Sequence, residues 1–533
     1  MRPLATLDPI SQTKVPPPGA SPSLAGAPVY SPFLPLAILA LGFLARLYFA
    51  YSLFLNPDEA LIYFLSAQKS LAATYRASLL TAHPPLFYVL LYYWRQLGNS
   101  ELMLRLPSVL AGTAFCWMAF KWLRRIAGSL TALVALVFFC FTPALVSLGA
   151  EVRQYSLLLL FLAACLYFLE TALQENSAPA MLVFSASLWL AILTQYSAWL
   201  FCLVVGIYAL LRFARRPPPV RVLGCWAAGQ AIALAIYAVL YRTQLPWLLK
   251  MAQVDKVFQG EQSRLASIPR ETFRLFHYLF SQPVVGSVVL LLFVLGIITV
   301  WRRPAADDPA RPTGRQLAWL LFLPFVLSWA AALAGLYPFD GTRHSVVLAL
   351  FVVAGATLGL TRDGRPGSWN MPVVAAVLLI ACYMFPAPLG AYIKPRNQRR
   401  RLTAEAVAFL RQSAPPRSVF LLDDQSTYLF RYYFCRDQAA AFSEVPGQFR
   451  DYFCGGYRVA GSRQWMLTPA QLPLDLNRAA RLYHLPPGQE VWIFQAGWNV
   501  NKEPELLSRL RDFGCPAPPR FGENLLLCRL APP

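Results

Sequence analysis

The apolar run FLPLAILALGFLARLYFAYSLFL, residues 33–55, passes without a break into NPDEA, residues 56–60. As a helix, a run of this length reaches across a hydrocarbon core about 30 Å thick. Its end in two adjacent carboxylates, Asp58 and Glu59, marks a membrane face. The rest of the chain has the same character. Hydrophobic residues make up 57% of the 533 and charged residues 14%, with a mean hydropathy of +0.46. Ordinary globular chains carry about 25% charge, and water cannot accommodate the surplus apolar surface. The expected fold class is therefore an α-helical polytopic membrane protein. Soluble multidomain, disordered and disulfide-miniprotein classes are excluded.

Lysine and arginine outnumber acids by 47 − 26 = 21, and the pI is 9.8. The arginines fall in short connections between apolar runs, as in Arg124-Arg125, Arg215-Arg216 and Arg302-Arg303. That is the signature of cytoplasmic loops, so the bilayer, not nucleic acid, is the expected partner. Residues 1–30, rich in Pro, Ser and Ala, predict a disordered cytoplasmic tail. Hydropathy then predicts about eleven spans. The first is 33–55, followed by Leu106–Leu123, Leu130–Leu148, Ser156–Leu173, Ala180–Leu193, Ala198–Phe213, Gly224–Tyr241, Val284–Val300, Leu317–Leu336, Ser345–Leu360 and Met371–Tyr392. Pro85–Leu97 is apolar but too short to cross, and predicts a helix lying in the interface. With the N-terminus inside, the connections after the first, third, seventh and ninth spans face outward, as does the C-terminal region.

The membrane domain is expected over 31–393 and a small α/β domain over 394–533, with strands near Ser418–Leu422, Val491–Phe494 and Leu525–Cys528. Its four cysteines, Cys435, Cys454, Cys515 and Cys528, allow two disulfides in three pairings if that side is oxidising, and are free thiols otherwise. No C-x-x-C or zinc spacing occurs, so no metal ligands are assigned. The absence of an Asn-x-Ser/Thr sequon points to a bacterial envelope and its inner (plasma) membrane.

The informative polar residues stand beside lipid. Asp58 and Glu59 follow the first span. His83-Pro84-Pro85 opens the short helix that carries Tyr88. Glu151, Arg153 and Tyr155 fill a very short outward link. Tyr337, Arg343 and His344 lie in a second such turn, and Arg270 in a long outward connection that also holds Lys250, Lys256 and Arg264. Guanidinium groups at this height suit a phosphate. Acids beside them suit proton abstraction from a hydroxyl. Arg46, inside the first span, is expected to snorkel or to pair with an acid.

In this order the motifs resemble the GT-C glycosyltransferases, in particular the group of protein O-mannosyltransferases and aminoarabinose transferases. The likeness rests on Asp58-Glu59, His83-Pro84-Pro85-Leu86-Phe87-Tyr88, Ser100-Glu101 with Arg105-Leu106-Pro107-Ser108, Glu151-x-Arg153-x-Tyr155-Ser156 and Thr342-Arg343-His344. It implies a polyprenyl-phosphate-linked sugar donor, inversion at the anomeric carbon and an active site on the extracytoplasmic side, where the C-terminal domain also lies. Asp58 takes the position of the base, with Glu59 and Glu151 as further catalytic acids. Arg153, Arg343, His344 and Arg270 are the expected phosphate-binding set, and His83, Tyr88, Tyr155 and Tyr337 the substrate-binding set. No cofactor is required, though a divalent cation is compatible. The acceptor hydroxyl, on lipid, glycan or protein, stays open. The rival expectation is a flippase of a lipid-linked saccharide, which would want charges along a path near the bilayer midplane.

Overall fold

The computed structural model describes residues 31–81, 83–244, 246, 265–303, 308–361, 370–385, 400–436, 449–462, 464–486, 488–497, 504–515, 521 and 525–530. The expected N-terminal tail, the 393/394 boundary and Lys250, Lys256 and Arg264 lie outside these residues. Helices in the first half are α1 (Phe33–Ser52), α2 (Pro57–Ser66), α3 (Leu71–Ser78), α4 (Leu86–Trp94), α5 (Glu101–Ala127), α6 (Ser129–Phe141), α7 (Pro143–Gly149), α8 (Tyr155–Glu175), α9 (Ala178–Thr194), α10 (Ala198–Arg215) and α11 (Val220–Thr243). The second half of the membrane domain has α12 (Ile268–Phe280), α13 (Pro283–Trp301), α14 (Gly314–Leu333), α15 (Ala349–Leu360) and α16 (Asn370–Met384).

Among the described residues, eight stretches are long and apolar enough to cross a membrane, and the bent pair α6–α7, counted as one span, makes a ninth. The eighth stretch, Arg343–Leu360, opens as a 3-10 turn that runs into α15. Two of the eleven expected spans, α9 and α16, are helices of only 17 and 15 residues. Ala180–Leu193 and Ala198–Phe213 fall in two separate helices, since α9 ends at Thr194 and α10 begins at Ala198. The short helix α4 ends in a 3-10 turn at Arg95–Leu97 and packs on α2 and α3, so Pro85–Leu97 stays too short to cross.

The expected single span Leu130–Leu148 is bent by 56° at Thr142. Pro143 has no N–H, so the carbonyl four residues earlier, on Phe139, loses its helical donor. Arg46 supplies the replacement. Its guanidinium donates to Phe139 O at 2.9 Å and to Cys140 O at 2.9 Å, and also to Gly42 O at 3.0 Å and Cys116 Sγ at 3.3 Å. Arg46 therefore neither snorkels nor meets an acid; it is 1% exposed and caps the carbonyls opened by the bend. A Cβ on Gly149 would sit 3.0 Å from its Nε, so the cage around it is full.

The C-terminal region has helices α17 (Arg400–Ser413), α18 (Asp424–Cys435), α19 (Leu472–Leu482) and α20 (Pro504–Asp512). Strands β1 (Val419–Leu422), β2 (Arg450–Cys454), β3 (Tyr457–Gly461), β4 (Val491–Ala496) and β5 (Leu525–Leu530) form one sheet in the order β2-β3-β1-β4-β5. Strand β1 runs parallel to β3 and β4, and the outer strands β2 and β5 are antiparallel to their neighbours. The three expected strands are present; the β2–β3 hairpin, closed by Gly455-Gly456, was not anticipated. Cys435 is bonded to Cys454, and Cys515 is also in a disulfide.

This domain docks on the end of the bundle that carries Asp58. Helix α18 lies against α2, and Phe54, Ile62 and Tyr63 share one apolar core with Phe420, Phe430 and Phe494. In an open parallel sheet the crevice beyond the strand C-termini at the switch between β1 and β4 is where ligands usually bind. Here Gly497, immediately after β4 at φ +129°, closes on Pro57; a Cβ there would fall 2.7 Å from the proline ring. The membrane domain itself thus occupies that edge.

Removing the Arg46 guanidinium strands two carbonyls in an apolar interior. Arg46→Met should cost about 3 kcal/mol of stability, read as a lower melting temperature of the purified protein. An unchanged melting temperature would refute this account of the bend.

Candidate active site

Helix α2 begins with a capping box. Asn56 Oδ1 accepts from Glu59 N at 2.9 Å, and Glu59 Oε2 accepts from Asn56 N at 2.9 Å. Pro57 takes the first helical position, where its missing N–H costs nothing. This geometry turns Glu59 back into the protein. There Arg105 meets it with a fork, Nε to Oε1 and Nη2 to Oε2, both at 2.7 Å. Val152 N adds a fourth bond to Oε1 at 2.7 Å. A carboxylate has about four acceptor sites, and on Glu59 all are taken. The pair is fully buried, at 0% and 1% exposure. The rest of Arg105 caps the end of α1, donating to Ala50 O, Leu53 O and Phe54 O at 2.7–2.8 Å.

Asp58, one position earlier, faces away from this knot. Its Oδ2 meets Arg153 Nη2 and, at 2.7 Å, Arg343 Nη1, and its side chain is 15% exposed. The link 150–154 that carries Arg153 is held by Ser108, whose hydroxyl donates to Arg153 O at 2.9 Å. Arg105 and Ser108 thus give the Arg105-Leu106-Pro107-Ser108 motif its purpose: one residue grips Glu59 and the other grips the Glu151–Arg153 link.

Glu151 is 7% exposed, and its buried Oε2 has no hydrogen-bond partner among the described residues. Burial, then the neighbouring Glu59 carboxylate, pushes its pKa up to about 7, against the opposing pull of Arg343, Arg105 and Asn56. His83 is held neutral: burial and the nearby His344 and Arg343 push it down to about 3. Tyr88 bonds Thr81 and interacts with Tyr155, which in turn interacts with Tyr337. The Tyr337 hydroxyl accepts from Gln195 Nε2 and donates to His344 O, both at 3.3 Å.

The structure therefore gathers Asp58, Glu59, Glu151, Arg153, Arg343, His344, His83, Tyr88, Tyr155 and Tyr337 into one cluster. Arg270 lies in α12, where it is 57% exposed and bonds Glu271 at 3.0 Å. Arg105, Ser108 and Asn56 were quoted in motifs without a role; an arginine near the start of a span was the available signal. A small pocket of about 20 Å³ lies beside His344 and Tyr337. Its walls are apolar, including Leu200, Phe201 and Val204 of α10, Pro324 of α14, and Phe351. Among the described residues, no group of three or more His, Cys, Asp or Glu is placed to hold a metal ion.

Residues 82–241 match the model of the family described as dolichyl-phosphate-mannose-protein mannosyltransferase. Two solved structures of ArnT from Cupriavidus metallidurans share the fold. The one bound to undecaprenyl phosphate has a TM-score of 0.52 at 13% identity, covering 93% of this chain and 97% of that one. The apo structure gives 0.53 with the same identity and coverage. An apo oligosaccharyltransferase from Archaeoglobus fulgidus scores 0.47 at 11% identity, covering 87% of this chain and 70% of that one, too low to argue from. No curated protein matches. The family segment and the fold agree with the motifs: the chain has the architecture of a GT-C glycosyltransferase.

Two outcomes are expected. Glu59→Ala leaves Arg105 buried and unpaired, at a cost of about 3–5 kcal/mol, measurable as a fall in melting temperature. Glu151 behaves oppositely. An acid whose pKa is raised on folding costs stability as pH climbs from the unfolded value of 4.5 to about 7, and costs nothing below it. Glu151→Gln should therefore raise the melting temperature at about pH 8 and leave it unchanged at about pH 4.

Proposed function

We propose that this GT-C-type membrane glycosyltransferase transfers a sugar from a polyprenyl-phosphate donor to an acceptor hydroxyl on a lipid, glycan or protein. Transfer takes place with inversion, on the extracytoplasmic side. The observation that carries the reading is the convergence of Arg153 and Arg343 on the partly exposed Asp58. The bound polyprenyl phosphate of the structurally similar ArnT and the dolichyl phosphate in the family's description support this donor class.

Without donor, Asp58 serves as counter-ion to both arginines. A donor phosphate competes for the same guanidinium groups with more charge and more oxygens. Once they turn to it, Asp58 loses its neighbouring cations and becomes a stronger base. The acceptor oxygen then attacks the anomeric carbon opposite the phosphate, and Asp58 takes the hydroxyl proton. The bond from that carbon to the phosphate oxygen breaks, and the arginines hold the charge of the departing polyprenyl phosphate. Neutral His83 and the tyrosine hydroxyls would orient the sugar. Glu59, with every acceptor site filled, positions Asp58 and stays out of the reaction. A flippase is disfavoured because Arg46, the charge inside the first span, is enclosed and bonded to backbone carbonyls.

Glu151 supports a second assignment of the base, since its pKa near 7 and unpartnered oxygen suit proton transfer. Turnover by purified variants decides between them. Asp58→Asn should lose about 10²–10⁴-fold in rate while remaining folded. Activity within a few-fold of wild type refutes Asp58 as the base, and a dead Glu151→Gln in the same assay moves the base there. Arg153→Ala and Arg343→Ala should each weaken donor binding about tenfold, by losing a charge-assisted bond of about 1.5–3 kcal/mol. Unchanged affinity in both removes them from the phosphate site.

Sidedness has its own test. Single cysteines introduced at Ser100 and Arg481 should react with an impermeant thiol reagent added to intact cells. Labelling only after lysis would overturn the extracytoplasmic placement.

A further inference from the structure

A second cleft, of about 630 Å³, lies between the start of α5, helix α17 and the end of α18. Ala404, Val407, Ala408 and Arg411 recur at helical spacing along one face of α17 and form one wall. The small side chains keep the space open. Among the described residues, Arg400, Arg411 and Arg436 line it against a single acid, Glu101. Glu101 is already engaged by Arg400 Nε at 3.0 Å and by the Tyr433 hydroxyl. The lining therefore carries three positive charges to one negative.

Each guanidinium rests on a ring: Arg400 on Tyr51 at 5.4 Å, Arg411 on Phe434 at 5.8 Å and Arg436 on Tyr432 at 5.6 Å. Stacking fixes the planes; Arg436 is further held by Asn99 O at 3.3 Å, so the exposed Arg411 is the group that offers an N–H edge to an oxygen acceptor. Tyr51 gives the height. It lies in the last turn of α1, and Tyr48 and Tyr51 are 65% and 58% exposed on a helix able to cross a membrane. Tyrosines so placed belong at the lipid–water boundary. The cleft is thus cationic, roomy and open at headgroup level.

We propose that this cleft binds the phosphate-bearing headgroup of an anionic phospholipid drawn from the bilayer, separately from the sugar-donor site. Its wall also touches the catalytic loop, because the Tyr433 hydroxyl accepts from Leu55 N at 3.2 Å, next to the Asn56 cap of α2. An occupied cleft braces the segment that positions Asp58.

Native mass spectrometry of the full chain in neutral detergent, with phosphatidylglycerol or phosphatidylcholine added, tests this directly. Phosphatidylglycerol should bind in preference to phosphatidylcholine. Arg411→Gln should weaken phosphatidylglycerol binding about tenfold and Arg411→Glu more, with the weak phosphatidylcholine binding unaltered. Arg481→Gln, on α19, should bind as wild type. Arg411 is exposed, so its variants should keep the wild-type melting temperature. Equal binding of the two lipids, or undiminished phosphatidylglycerol binding by Arg411→Glu, overturns the proposal. So does displacement of the lipid by an equal concentration of inorganic phosphate, which would mark a free-phosphate site instead.

Discussion

The site depends on one buried ion pair. Glu59 and Arg105 join three pieces of chain that have no covalent reason to meet: the end of α1, the start of α2 and the link 150–154. Each partner also answers a helix terminus. Arg105 supplies cationic donors to the carbonyls at the end of α1, and Glu59 supplies an anion at the start of α2, so both helix dipoles favour the arrangement. A buried pair is weak evidence for stability by itself, because desolvation offsets the attraction. Here the desolvation is offset by further bonds, three from Arg105 to carbonyls and two from amides to Glu59. The result is specificity of placement, which a hydrophobic substitute of the same volume would not provide.

The apolar surroundings impose a second constraint: a carbonyl released from its helix must find another donor. Three prolines show the rule. Pro57 stands at the first position of α2, where it releases nothing. Pro107, inside α5, frees Met103 O, which accepts from Trp94 Nε1 at 2.8 Å and so ties the short helix α4 to the bundle. Pro143 frees Phe139 O, and Arg46 takes it. In the last two cases a loss in one helix becomes a tie to another, and both ties position elements bearing on the cluster: α4 carries Tyr88, and α7 leads into Glu151.

Much of this was legible beforehand because lipid penalises misplaced polarity. Asp58, Glu151, Arg153 and Arg343 stood out as charges at span ends, and the structure brings them together. The β2–β3 hairpin, in contrast, pairs two five-residue strands in which buried Cys454, Val459 and Ala460 are interspersed with Arg450, Asp451 and Arg458, so no apolar run marks it. Arg46 was read as seeking water or an acid because backbone carbonyls are not counted as partners in a sequence. Only the bend at Thr142 makes them available. The different fates of Asp58 and Glu59 were equally hidden, since hydropathy treats adjacent acids alike.

Helix geometry separates those two acids. In a capping box the third helical position must reach back to the cap, so Glu59, and not Asp58, is drawn into the knot with Arg105. The neighbouring position then points about 100° away around the helix, which turns Asp58 towards Arg153 and Arg343. A longer Glu is needed at the third position to reach the cap amide, and a shorter Asp at the second keeps its carboxylate close to the helix. The order Asp-Glu is therefore not interchangeable. Saturating one carboxylate fixes the start of α2, and that rigidity lets its neighbour remain half committed, paired with cations that a phosphate can take away.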